Sequence, residues 1–67
     1  MQTPSQSQIK DNEGSFYLIR KEMYNGGTSP KVEWIVAEKF QDNIWKISRE
    51  FSRKIDAKEW LYICAKV

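Results

Sequence analysis

Apolar and polar positions alternate along much of residues 16–51, which is typical of strands with one face buried. Turn-forming residues divide this stretch into three β-like runs, at 16–24, 31–40 and 43–51. The first two runs are separated by Asn-Gly-Gly-Thr-Ser-Pro, which is too long for a two-residue hairpin. The pattern therefore predicts three antiparallel strands with an open loop after the first.

A two-residue turn at Asp42-Asn43 would fix the register between the second and third runs, because both residues tolerate the left-handed backbone of a type I′ turn. One face of the hairpin then collects most of its large apolar side chains, which are Trp34, Val36, Phe40, Trp45, Ile47 and Phe51. The opposite face is mostly polar and places Lys39 directly opposite Lys46. A one-residue slip would exchange the two faces.

After Phe51 the apolar period changes to that of a helix. Ala57, Trp60, Leu61 and Cys64 lie at the i, i+3, i+4 and i+7 positions of one helical stripe. We expect the helix to begin between Ser52 and Asp56, where Asp56 and Glu59 fit a capping box. The predicted fold class is α+β, a three-stranded antiparallel sheet packed on one C-terminal helix (β-β-β-α).

The first 14 residues contain one aliphatic residue after Met1, namely Ile9, among Gln, Ser, Thr, Pro and charged residues. Such a segment buries too little apolar surface to offset its ordering entropy. We therefore expect residues 1–14 to be a disordered tail and residues 15–67 to be the single folded domain of this 67-residue chain.

Cys64 is the only cysteine, so no intrachain disulfide can form, and a reducing compartment is expected. The sequence contains neither a secretory signal pattern nor an apolar run long enough to span a membrane. A cytoplasmic protein without membrane contact is the prediction.

The inventory of catalytic groups is small. The chain contains no histidine, Cys64 falls on the predicted buried stripe, and most carboxylates are beside basic residues. Gly26-Gly27 lies between two strands, whereas a phosphate-cradling loop joins a strand to a helix. We expect neither an enzyme nor a cofactor, metal site or small-molecule substrate.

Binding through a surface remains, and nucleic acid is the first candidate partner. Two lysines facing each other on an open sheet repel unless solvent or an anion intervenes, which favours an anion-binding site. In the alternative interpretation, such lysines only keep the sheet soluble. The formal net charge of +2 is weak for a nucleic-acid-binding domain but compatible with one. The sequence leaves open which face holds Tyr17 and Ile19. The predicted contact residues are Lys21, Lys31, Lys39 and Lys46.

A protein partner is the alternative, with the chain acting as an adaptor, a small inhibitor or a homodimer. Some apolar residues fall outside the helix stripe or on the open sheet face, where they would form a contact surface. These residues are Ile35, Ile44, Tyr62, Ile63 and Val67.

Trp45-Lys46 in the last strand is followed by Phe51-Ser52 and then by a helix carrying Ala57 and Trp60-Leu61. Over residues 16–64 this order resembles the small N-terminal DNA-binding domains of phage-type tyrosine integrases. In that family the sheet enters the DNA major groove, so the resemblance implies DNA contact through Lys39, Lys46 and Lys21.

Overall fold

In the computed structural model, residues 3–24, 26–27, 29–42 and 44–66 are described. Within them the chain forms four strands and one helix: β1 Ile9–Glu13, β2 Phe16–Met23, β3 Lys31–Gln41, β4 Ile44–Phe51 and α1 Lys54–Ala65. The sheet has the order β1-β2-β3-β4, and every neighbouring pair is antiparallel. The α+β class and the single C-terminal helix are confirmed.

The number of strands differs from the prediction of three. The additional strand, β1, comes from the segment that the sequence predicted to be a tail, and it pairs with β2 along Ile9↔Ile19 to Glu13↔Phe16. Gly14 and Ser15 form the tight turn between them, and Gly14 has a φ of 60°. Glycine at the first central position is what a type II′ hairpin turn requires.

Helix α1 covers one face of the sheet, here called the helix face. Ala57 and Leu61 are fully buried against Leu18 and Val36. Four aromatic side chains, Phe16, Trp34, Phe51 and Trp60, pack around this cluster. The predicted helical stripe is therefore confirmed, as is the start of the helix between Ser52 and Asp56, although Arg53 at the N-cap makes no side-chain capping bond.

The register between β3 and β4 agrees with the prediction at both ends of the hairpin and differs in the middle. Trp34↔Phe51, Val36↔Arg49 and Gln41↔Ile44 are paired as expected, although Asn43 of the predicted turn lies outside the described residues. Two β-bulges, one between Val36 and Ala37 and one between Lys39 and Gln41, offset the intervening pairs by one residue. Because a one-residue offset changes the face of each side chain, β4 residues in this stretch are on the opposite face from the predicted one.

The face away from the helix, here called the open face, is consequently not mostly polar. Trp45 packs there with Ile19, Ile35 and Ala37 in a second buried cluster. Tyr17 and Ile9 border it, and the Tyr17 and Trp45 rings meet edge to face at a centroid distance of 5.0 Å. The sheet therefore has two apolar faces, and Tyr17 and Ile19 lie on the open one.

Part of the N-terminal segment lies against the open face. Gln8 accepts a backbone hydrogen bond from Arg20 at 2.8 Å, and Thr3, Pro4 and Gln8 line a cavity of about 360 Å³ whose other walls include Ile19 and Ile35. This position of residues 3–8 explains why the open face can be apolar without being fully exposed. Over the described part of the chain, no helix has the length and apolar character that crossing a membrane requires.

Candidate cation–aromatic surface

Two cationic side chains lie over aromatic rings where β4 ends and α1 begins. The Arg49 guanidinium carbon is 5.3 Å from the ring centroid of Phe51 and 5.3 Å from that of Trp60. The Lys54 ammonium is 5.6 Å from the centroid of Trp34. Since Trp34 and Phe51 are cross-strand partners, the two cations lie above neighbouring rings.

Arg49 is on the helix face because it pairs with Val36, whose side chain is buried under α1. Ser48 is the extra residue opposite the Val36–Ala37 step, so Ser48 and Arg49 both reach α1. The Trp60 indole N–H donates to Ser48 Oγ at 3.1 Å, which fixes the orientation of the indole beneath Arg49. The bulge residue Ser48 thus anchors the ring over which Arg49 lies.

Two further cations extend this group. Arg53 directly precedes Lys54 at the N-cap, and Lys58 is one helical turn beyond Lys54 on the same side of α1. All four cationic residues are exposed. We define the cation–aromatic surface as Arg49, Arg53, Lys54 and Lys58 together with Trp34, Phe51 and Trp60.

Charge is distributed unevenly along the chain. Residues 44–58 contain five basic and two acidic residues, whereas residues 1–43 contain five basic and six acidic ones. The ion pair that the structure shows within its described residues joins Arg20 and Glu22 on β2. The four cations of the surface therefore have no described carboxylate within salt-bridge distance, and their charge is available to an external anion.

The four lysines predicted to contact nucleic acid do not form one patch. Lys39 is paired with Trp45, with its ammonium 5.6 Å from a Trp45 ring centroid, and Lys46 is opposite Glu38. The predicted Lys39–Lys46 juxtaposition is therefore wrong, because the bulge places Lys46 on the helix face.

The other two predicted lysines, Lys21 and Lys31, are near each other on the open face, at the opposite end of β3 from Lys39. Lys21 is opposite Glu33, which offsets its charge. Lys31 is opposite Met23 and, two residues before Glu33 on β3, lies on the open face, away from the cation–aromatic surface.

The residues predicted to contact a protein partner also do not form one surface. Ile35 is on the open face as expected but is only 2% exposed, so it presents almost no contact area. Ile44 at the start of β4 is 52% exposed, and Tyr62 and Ile63 on α1 are also exposed. Val67 lies outside the described residues.

A shallow apolar groove runs between the C-terminal half of α1 and the sheet. Phe16, Trp60, Ile63 and Cys64 contribute most of its apolar lining, and its volume is about 350 Å³. The Cys64 sulfur is 3.9 Å from Ser48 Oγ and partly buried. Within the described residues, no three His, Cys, Asp or Glu side chains are grouped as metal ligands.

Contacts within one exposed side-chain cluster at the end of β2 shift the pKa values of two of its members. Arg20 pairs with Glu22, and the Tyr24 hydroxyl donates to Glu22 Oε2 at 2.9 Å. The hydrogen bond from Arg20, followed by that from Tyr24, lowers the pKa of the Glu22 carboxyl below its ordinary value. The same contact raises the pKa of the Tyr24 phenol.

Sequence reasoning missed Arg49 and the cations at the start of α1 because it sought a patch on the open face. The signal that could have found them is the excess of basic over acidic residues in 44–58. Comparisons of this chain with protein-family models, curated proteins and solved structures found no match.

Proposed function

We propose that this chain is a small non-catalytic module that binds nucleic acid through the cation–aromatic surface. The observation that carries the proposal is a group of four exposed cations without described carboxylate partners, two of which, Arg49 and Lys54, lie over three aromatic rings. Phosphate groups are the anions that such an arrangement suits, because Arg and Lys contacts to phosphates supply most non-specific nucleic-acid affinity.

This location differs from the open sheet face that the sequence favoured. On the open face, Lys21 is opposite Glu33, and the central Trp45 ring is 9% exposed and in contact with Lys39. On the cation–aromatic surface, Asp56 is the acidic residue within the helical turn that holds Lys54 and Lys58. Electrostatics therefore favours the end of the sheet where β4 meets α1.

The expected binding is weak and strongly salt-dependent. If all four cations contact phosphates, the logarithm of the association constant should fall with the logarithm of salt concentration with a slope of about −3 to −4. Fluorescence anisotropy of labelled DNA and RNA fragments over a range of salt concentrations would measure both the affinity and the slope.

A pair of matched double variants locates the contact. The double variant Arg49→Gln, Lys54→Gln should weaken binding and make the slope shallower by about two, since each lost phosphate contact removes about one unit. Lys21→Gln, Lys39→Gln removes the same charge from the open face and should have a smaller effect. Circular dichroism would verify that both variants remain folded.

Three outcomes would contradict the proposal. No binding to either DNA or RNA at low salt would show that the chain does not bind nucleic acid. A larger loss of affinity in the Lys21→Gln, Lys39→Gln variant would show that the binding site is on the open face. Equal small losses in both variants would indicate attraction by net charge without a defined site.

Homodimerisation is a second candidate, favoured by apolar groups that the sheet leaves exposed at its β3–β4 end. Phe40 is 55% exposed, Ile44 52% and Ile47 39%. Exposed apolar groups this close in sequence are typical of contact surfaces. Sedimentation over a range of protein concentrations tests it, and a strictly monomeric protein would leave only foreign protein partners.

A further inference from the structure

We infer that the cation–aromatic surface contacts the sugar–phosphate backbone without reading base sequence and without stacking on unpaired bases. This inference rests on the binding function proposed above and specifies how the ligand is recognised. It follows from what occupies the ring faces and from which hydrogen-bonding groups the surface contains.

The aromatic rings already contact both the buried cluster and the cations. Trp34, Phe51 and Trp60 pack against the buried cluster under α1. Cations occupy positions over the same rings, with Arg49 over Phe51 and Trp60 and Lys54 over Trp34. A base could stack only after displacing a cation, whereas proteins that bind single strands offer uncovered rings to successive bases. The rings thus hold cations in place for phosphates.

The surface also has few of the groups that distinguish bases. Residues 44–66 contain no Asn or Gln, the side chains that pair with adenine in the major groove. Trp60 uses its indole N–H on Ser48, so that donor is not available to a base edge. Arg49 is held over two rings, which leaves Arg53 as the one arginine of the surface that could reach guanine.

A duplex should therefore be preferred over a single strand. Double-stranded DNA carries about one phosphate charge per 1.7 Å of helix axis, a higher density than a single strand offers. With no stacking to favour unpaired bases, charge density decides the order of affinity.

Competition measurements with the full chain test this inference. The probes are two short DNA duplexes of unrelated sequence and equal length, together with a single strand of the same length. The two duplexes should bind within about threefold of each other, since sequence-specific sites differ from non-specific ones by about a thousandfold or more. The single strand should bind more weakly than either duplex.

Conservative variants separate backbone contact from base reading. Arg53→Lys retains the charge but loses the planar fork that binds guanine in two places, so it should leave all three affinities nearly unchanged. Arg53→Gln should weaken both duplexes equally. A preference between the duplexes that Arg53→Lys removes would overturn the inference.

The possible failures are distinguishable. If no probe binds, both the proposed function and this inference fail. If binding occurs but one duplex is strongly preferred, or the single strand binds most tightly, then the chain binds nucleic acid by base recognition. The proposed function would stand in that case and the inference would not.

Discussion

At the scale of single residues, Glu22 shows how contact geometry sets ionisation even at an exposed position of a strand. Its carboxylate accepts from Arg20 and from Tyr24, and these bonds favour the charged form. Because the pKa of Glu22 is lowered on folding, this cluster stabilises the folded state above the ordinary glutamate pKa. Its contribution is lost as the pH falls through the lowered value.

Replacing Tyr24 with Phe tests this account. The variant removes the second-largest cause of the shift, so the pKa of Glu22 should rise toward its ordinary value while remaining below it, since Arg20 is retained. NMR titration of the Glu22 side-chain carboxyl carbon over about pH 2 to 7 would follow it. Tyr62→Phe is the matched control and should leave this titration unchanged. A Glu22 pKa unaffected by Tyr24→Phe would show that the hydroxyl contact is not maintained in solution.

At the scale of elements, the bulges in the β3–β4 hairpin decide which side chains are buried. Trp45 belongs to the buried cluster of the open face, whereas its neighbour Ile44 is 52% exposed. Trp45→Ala should therefore lower the free energy of unfolding by about 3–5 kcal/mol, and Ile44→Ala by less than about 1 kcal/mol. Urea denaturation followed by circular dichroism would compare the two variants.

The faces can be distinguished by the neighbours of the Trp45 ring. Nuclear Overhauser contacts from the indole should connect it to Tyr17, at a centroid distance of 5.0 Å, and not to Leu61 under the helix. Contacts to Leu61 would instead support the register without bulges, in which Trp45 is on the helix face.

How much of this fold the sequence predicts depends on whether the signal is local. Ala57, Leu61 and the strands around Leu18 and Val36 are identified because burial imposes a period on each element separately. A bulge adds one residue to one strand and moves the side chains beyond it to the other face, at a point that no residue type in this hairpin marks. The faces of Trp45 and Lys46 therefore could not be obtained from alternation alone.

The cation–aromatic surface was missed for a related reason. Arg49 and Lys54 are five residues apart and belong to different elements, and only the packing of α1 on the sheet brings both over adjacent rings. Composition showed the excess of charge in this region but not its arrangement. Strand β1 did carry a local signal, because Gly14-Ser15 is a recognised two-residue hairpin turn.

At the scale of the whole molecule, β1 joins the N-terminal segment to the folded domain. It shields one edge of β2, and Ile9 packs against the buried cluster that contains Ile19 and Trp45. The polar composition of residues 1–14 predicts a disordered tail, whereas this packing makes residues 9–13 part of the sheet. The two descriptions differ in what removing the segment should do.

Deletion of residues 1–14 should destabilise the domain, because it exposes the edge of β2 and removes the contacts of Ile9 with the second cluster. Ile9→Ala in the full chain isolates the side-chain part and should cost about 1–3 kcal/mol, less than for a fully buried isoleucine. Lys10→Ala is the matched control, since its exposed side chain lies at the irregularity of β1 and should change stability by less than about 0.5 kcal/mol. Urea midpoints would rank the variants.

Nucleic-acid binding per folded molecule should be retained throughout, because the cation–aromatic surface lies on the helix face. An unchanged midpoint after deletion would instead identify residues 1–14 as the tail that their composition predicts.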